Sequence, residues 1–153
     1  MERFFNTAGS MIPEDHYCID PLARIDWDDI QRLIYGKRYF VMHAPRQTGK
    51  ISTLLAMMHE LNGEGHYACA YTNIVAVQAA RGDVAQGIAT LCSVASRNIE
   101  RYLQRPEQRQ WYINENKHYP LQDQLSTLLE YLTLASDKPT PNKLEKYFAN
   151  AVV

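Results

Sequence analysis

Apolar residues recur at helical spacing in four stretches of the chain. Asp26 can cap the start of the first helix, and Gly36 ends it. The second helix begins at the Gly49-Lys50 pair. A third helix is predicted from Asp83 to about Gln104, before Pro106. The fourth is leucine-rich and strongly amphipathic. The apolar positions are Trp27, Ile30, Leu33 and Ile34, then Leu54, Met57, Met58 and Leu61, then Val84, Ile88, Leu91, Ala95, Ile99 and Tyr102, then Leu121, Leu125, Leu128, Leu129 and Leu132.

Two short segments, Tyr39–His43 and Tyr67–Tyr71, have the composition of strands. A strand, helix, strand order of this length predicts a βαβ unit with parallel strands. Residues 74–82 fit no single pattern, and Asn142 can cap a final short helix. The apolar residues of that last helix would be Leu144, Tyr147, Phe148 and Ala151.

The composition is that of an ordinary globular protein. Of 153 residues, 46% are apolar and 22% are charged, which predicts one modest domain. The net charge of −1 gives no electrostatic basis for binding nucleic acid or an acidic membrane. The three cysteines lack a CxxC pair and the five histidines lack zinc-site spacing, so no disulfide framework or metal site is expected. With no signal-peptide or membrane-span pattern, we expect a cytoplasmic protein.

The loop between the first predicted strand and the second helix carries the main chemical signal. It reads Ala44-Pro-Arg-Gln-Thr-Gly49-Lys50, and a strand, loop and helix in that order are the context of a phosphate-binding P-loop. Backbone N–H groups of such a loop and the positive end of the helix face one anion. Gly49 keeps the loop open and Lys50 reaches the terminal phosphates. The candidate nucleotide-binding residues are Arg46, Gln47, Thr48, Gly49, Lys50, Ile51 and Ser52.

Two positions depart from the P-loop pattern. Ala44 replaces the usual first glycine, which is a mild change. Ile51 replaces the Ser or Thr whose hydroxyl binds Mg²⁺, so the sequence supplies no ligand there. Ser52 does not substitute for it, because each helical step rotates the side chain by about 100°. We therefore assign no catalytic or metal-binding residue.

Four segments together resemble prokaryotic AAA-like P-loop ATPases of unassigned role. They are residues 6–9, 13–18, 21–25 and 44–50, and the resemblance covers about residues 4–139. It implies that Gly49 and Lys50 bind the phosphates of ATP or ADP. In that family a Walker B strand ending in acidic residues follows, whereas residues 140–153 contain no such element. The resemblance therefore implies a truncated nucleotide-binding domain at 1–139, a divergent tail at 140–153, and weak or absent hydrolysis.

These observations predict an α/β fold: part of the P-loop NTPase fold, with a parallel sheet of two or three strands surrounded by four or five helices. Without a Walker B strand, the strand edges would be exposed and could pair with each other, a second copy or another protein. Two functions remain open. One is a nucleotide-binding module, and the other is a non-catalytic interaction module, or a remnant of a larger ATPase, that binds no nucleotide. Arg97, Arg101 and Arg105 form a row that is more typical of a solvated face than of a nucleic-acid site.

Overall fold

A computed structural model describes residues 3–7, 12, 14–45, 48–134 and 151–152, and most of them are helical. The α-helices are α1 (Trp27–Tyr35), α2 (Lys50–Gly63), α3 (Val84–Leu103), α4 (Pro106–Asn114) and α5 (Leu121–Leu134). Shorter 3₁₀ segments span Leu22–Arg24, Val75–Ala80 and Asn116–His118. The two strands are β1 (Phe40–Val41) and β2 (Ala151–Val152).

The predicted starts of α1, α2 and α3 are confirmed. Asp26 caps α1 by accepting a hydrogen bond from the Asp29 N–H at 3.1 Å, and Asp83 caps α3 through the Gln86 N–H at 3.0 Å. The second helix begins at Lys50, directly after Gly49. In α1 and α3, a short acceptor side chain satisfies a first-turn N–H that has no partner within the helix.

The predicted α/β fold with a small parallel sheet is wrong. Among the described residues, strand pairing beyond an isolated bridge between Phe4 and His16 is confined to a two-residue parallel contact. In that contact Phe40 pairs with Ala151 and Val41 with Val152. The segment 67–71, predicted as the second strand, forms no strand.

Side chains of α2 explain why the segment at 67–71 forms no strand. The Asn62 side chain donates to the Cys69 carbonyl at 2.9 Å and accepts from the Cys69 N–H at 2.6 Å. The Tyr71 N–H donates to the Met58 sulfur at 3.2 Å. These contacts satisfy backbone groups that would otherwise require a neighbouring strand. The apolar composition of the segment instead serves packing against α2, since Tyr67 is buried there.

Helix α4 was not predicted. The sequence pattern places Pro106 only at the end of the preceding helix, whereas it is also the first residue of α4. Proline is favoured at this position because its missing N–H would have no helical partner there. Of the predicted final helix, residues 142–150 lie outside the described residues, and Ala151 belongs to β2. The proposed boundary near residue 139 also lies outside them and stays a prediction.

Buried apolar side chains form two clusters. The first packs α1 against α2 and the 67–71 segment, and its buried members are Ile34, Leu54, Met57, Leu61 and Tyr67. The second joins α3, α4 and α5, and its buried members are Cys92, Ile99, Tyr112 and Leu128. Within the described ranges, no helix is both long and apolar enough to span a membrane. The candidate loop lies at the edge of the first cluster.

Candidate phosphate-binding loop

The first apolar cluster holds both ends of the loop between β1 and α2. Phe40 and Met42 pack against it before the loop, and Leu54 and Met57 belong to it after the loop. Val41, which lies between these two half-buried residues, is 75% exposed. This alternation is that of an extended segment with one face on the core. The cluster therefore fixes where the chain leaves β1 and where α2 begins.

Gly49 adopts a backbone conformation that favours glycine. Its φ is 82° and its ψ is 19°, in the left-handed region. A Cβ atom at this position would lie 3.0 Å from Nη1 of Arg24. The glycine is thus required both by the dihedral angles and by the close approach of an arginine.

The side chain of Lys50 folds back across the loop. Its Nζ donates to the carbonyls of Ala44 at 2.6 Å and Pro45 at 2.9 Å. The Pro45 carbonyl also accepts from the Thr48 hydroxyl at 2.8 Å. An ammonium group has three N–H donors, so one donor remains beyond these two contacts. The positive charge of Lys50 is therefore held at the loop itself.

Arg24 is a second cation at the loop, and sequence reasoning missed it. Its Nη2 donates to the Thr48 carbonyl at 3.0 Å, and its side chain is exposed. Among the described residues, no carboxylate lies within ion-pair distance of Arg24 or Lys50. No local spacing pattern points to Arg24, because the contact spans 24 positions. The available signal was its place in the 21–25 segment of the family resemblance.

The N-terminus of α2 has no acidic partner of its own. Gly49 offers no side-chain cap, and the first turn contains no acidic residue. The first N–H groups of a helix lack helical acceptors and carry the positive end of its dipole. Lys50, the first residue of α2, adds a positive charge to that end. A lysine there is unfavourable for the isolated helix and favourable for binding an anion.

Among the described residues, no group of metal-binding side chains replaces the missing metal ligand. Ile51 is 47% exposed, and its side chain has no oxygen. The Thr53 hydroxyl donates to the Gly49 carbonyl at 3.2 Å within its own helix, and Thr53 is buried. The described part of the chain contains no group of three or more His, Cys, Asp or Glu residues suited to a metal ion. Ile51 therefore offers no oxygen to a Mg²⁺ ion held in the P-loop manner.

The structure places five of the seven predicted site residues together. Thr48, Gly49, Lys50, Ile51 and Ser52 form the end of the loop and the first turn of α2. Arg46 and Gln47 lie outside the described residues. Comparisons with protein-family models, curated proteins and solved structures find no match to this chain. The sequence segments and the loop geometry are therefore the basis for a functional proposal.

Proposed function

We propose that this chain binds ATP or ADP at residues 46–52. The observation that carries the proposal is the position of the Lys50 ammonium, which lies across the Ala44 and Pro45 carbonyls beside the uncapped start of α2. A cation and free helix N–H groups at one loop are suited to bind a phosphate group. The exposed Ile51 and the backbone of Gly49 border the same place.

Each residue has a distinct role in this proposal. Lys50 neutralises phosphate charge, and Gly49 leaves room for the loop backbone to approach it. The backbone amides from Arg46 to Ser52 supply hydrogen-bond donors. We further propose a cytoplasmic location, because Cys18, Cys69 and Cys92 are free thiols that suit a reducing compartment.

Hydrolysis by this site is proposed to be weak or absent. Phosphoryl transfer depends on metal ions and cationic groups that neutralise the developing charge. Ile51 provides no hydroxyl for Mg²⁺, and Thr53 uses its hydroxyl within α2. We therefore propose a binding module rather than an efficient ATPase.

Calorimetric titration of ATP, with and without Mg²⁺, tests the proposal. The wild-type chain should bind with a Kd of about 1–100 μM. Lys50→Ala should weaken binding by about tenfold or more, because it removes a charge-assisted contact to phosphate. Lys117→Ala is the matched control, since Lys117 is exposed and lies outside the loop. Circular dichroism should show that each variant keeps the wild-type helix content. Equal binding by wild type and Lys50→Ala, or no binding by wild type, would refute the proposal.

A second proposed function is protein interaction without nucleotide. It is favoured by the exposure of Tyr39, at 79%, next to β1, and of Val41, at 75%, within that strand. Exposed apolar residues next to a strand suit pairing with another chain or a second copy. Light scattering across a concentration series distinguishes the two proposals. Association that ATP does not change, and that Tyr39→Ser abolishes, would favour this alternative.

A further inference from the structure

Arg24 contacts the loop at the two residues that precede Lys50. Its Nη2 atom donates to the Thr48 carbonyl at 3.0 Å. Its Nη1 atom lies 3.0 Å from the place where a Cβ of residue 49 would stand. The guanidinium therefore lies directly over Gly49, at the start of α2.

Most N–H donors of Arg24 have no acceptor among the described protein atoms. A guanidinium carries five N–H donors, and Arg24 makes one hydrogen bond, to Thr48. The side chain is exposed and has no described carboxylate within ion-pair distance. A planar fork of free N–H groups is well suited to bidentate contact with phosphate oxygens.

Arg24 and Lys50 place two positive charges on one loop without a described negative partner. Their contacts are to the carbonyls of Ala44, Pro45 and Thr48. Carbonyl oxygens satisfy N–H donors but do not neutralise the net charge. A polyphosphate carries several negative charges and would neutralise the charge of both cations.

The missing metal ligand gives this second cation a specific role. Polyphosphate bound in a P-loop is ordinarily neutralised partly by Mg²⁺ on the Ser or Thr hydroxyl. Ile51 removes that hydroxyl, while Arg24 adds a fixed charge at the adjoining residues. We propose that Arg24 contacts phosphate and supplies the charge that Mg²⁺ would otherwise supply, so that the site binds nucleoside triphosphate without requiring the metal. This inference rests on the proposed nucleotide site.

Calorimetry of ATP and ADP, each in EDTA and in Mg²⁺, tests the role of Arg24. The proteins are wild type, Arg24→Gln, Arg24→Lys, Lys50→Ala and the control Arg97→Gln, which alters an exposed arginine on α3. Wild-type affinity for ATP should change by less than about threefold when Mg²⁺ is added, because Arg24 already supplies the charge. In EDTA, Arg24→Gln should weaken ATP binding by about tenfold or more.

Further readouts separate phosphate contact from support of the loop. Mg²⁺ should partly restore ATP binding to Arg24→Gln, and the loss should be larger for ATP than for ADP. Arg24→Lys should fall between wild type and Arg24→Gln, because lysine keeps the charge but not the planar fork. Arg97→Gln should bind like wild type.

The possible failures are distinguishable. If Lys50→Ala loses binding while Arg24→Gln stays within about twofold of wild type, a difference of about 0.4 kcal/mol, the role of Arg24 is refuted and the nucleotide site stands. An equal loss for ATP and ADP, unchanged by Mg²⁺, would make Arg24 a loop support only and would also refute the inference. Absence of wild-type binding would overturn both proposals.

Discussion

The side-chain amide of Asn62 pairs with both backbone groups of Cys69, as a neighbouring strand would. Its Nδ2 donates to the Cys69 carbonyl at 2.9 Å, and its Oδ1 accepts from the Cys69 N–H at 2.6 Å. Both residues are half-buried. One side chain on α2 thus satisfies two backbone groups and fixes the 67–71 segment against the helix.

Replacing Asn62 with Ala should destabilise the fold. The change leaves a donor and an acceptor of Cys69 without partners, and each such group costs about 1–3 kcal/mol when fully buried. Because both residues are half-buried, we expect a loss of about 2 kcal/mol in total. Urea unfolding measures this loss.

Asn114→Ala is the control for that measurement, because Asn114 is exposed and its side chain accepts a hydrogen bond from the exposed Gln110. It should change the free energy of unfolding by less than about 0.5 kcal/mol. Equal effects of the two substitutions would show that the contact between Asn62 and Cys69 contributes no more to the free energy of unfolding than an exposed contact does.

The thiol of Cys69 should make stability depend on alkaline pH. Burial, reinforced by the Glu64 carboxylate, raises the pKa of Cys69 from 9.0 to about 11. The folded state therefore keeps a proton that the unfolded state loses first, so stability falls as pH rises through this range. The full difference corresponds to about 2–3 kcal/mol.

Urea unfolding at pH 8, 9, 10 and 11 checks this expectation. Wild type should lose about 2 kcal/mol more than Cys69→Ala between pH 9 and 11, because alanine does not titrate. Cys18→Ala, which alters an exposed thiol, should keep the wild-type slope. Parallel curves for wild type and Cys69→Ala would contradict the assignment.

The starts of the helices could be predicted from the sequence, whereas the pairing of strands could not. Asp26 and Asp83 each accept a hydrogen bond from the N–H group three residues later, so local spacing is sufficient to identify them as caps. A strand requires a partner elsewhere in the chain, and apolar composition alone does not name that partner. At Cys69 the partner is the side chain of Asn62, which strand propensity does not reveal.

Gln108 is a fully buried amide whose replacement should stabilise the protein. Its side chain is 0% exposed, and neither amide atom has a hydrogen-bond partner among the described residues. Methionine has a similar length and no group that requires a partner. Gln108→Met should therefore raise the free energy of unfolding by about 1 kcal/mol.

Thermal and urea unfolding test this stabilisation. The control is Gln110→Met, because Gln110 lies on the exposed face of the same helix. It should have an effect within about 0.5 kcal/mol of zero. A lower stability of Gln108→Met would mean that the buried amide is required in α4.

Ile51→Thr should create dependence on Mg²⁺. The substitution places a hydroxyl at the P-loop position that binds the metal, and Ile51 is exposed enough for the change to be tolerated. ATP affinity of the variant should rise by about threefold to tenfold when Mg²⁺ is added, an effect of about 1 kcal/mol. Wild type should show no such rise in the same calorimetric experiment.

The control for this gain is Ser52→Ala, which removes the hydroxyl one position further along the helix and keeps the backbone amide that the proposal assigns to phosphate. It should leave both ATP affinity and metal dependence unchanged, because that hydroxyl is rotated by about 100° from the metal position. A response to Mg²⁺ in wild type that Ser52→Ala abolishes would contradict our interpretation of Ile51.

The candidate site was only partly predictable. Gly49 and Lys50 belong to a short motif with fixed spacing, and the structure starts α2 as that motif requires. Arg24 comes from another segment, in which Leu22 and Ile25 pack against the first apolar cluster, and it contacts the loop at Thr48. Such a contact forms only in the folded chain, so no periodic pattern in the sequence predicts it.

The two apolar clusters are drawn from successive parts of the chain, and this has a consequence for folding and local opening. Members of the first lie between Leu22 and Tyr71, and those of the second between Ala70 and Leu128. Clusters built from neighbouring segments close short loops and form quickly. They are also natural units of hydrogen exchange, each with its own opening free energy. Because Arg24, Thr48 and Lys50 all lie in the first unit, the loop would keep its contacts during a transient opening of the second.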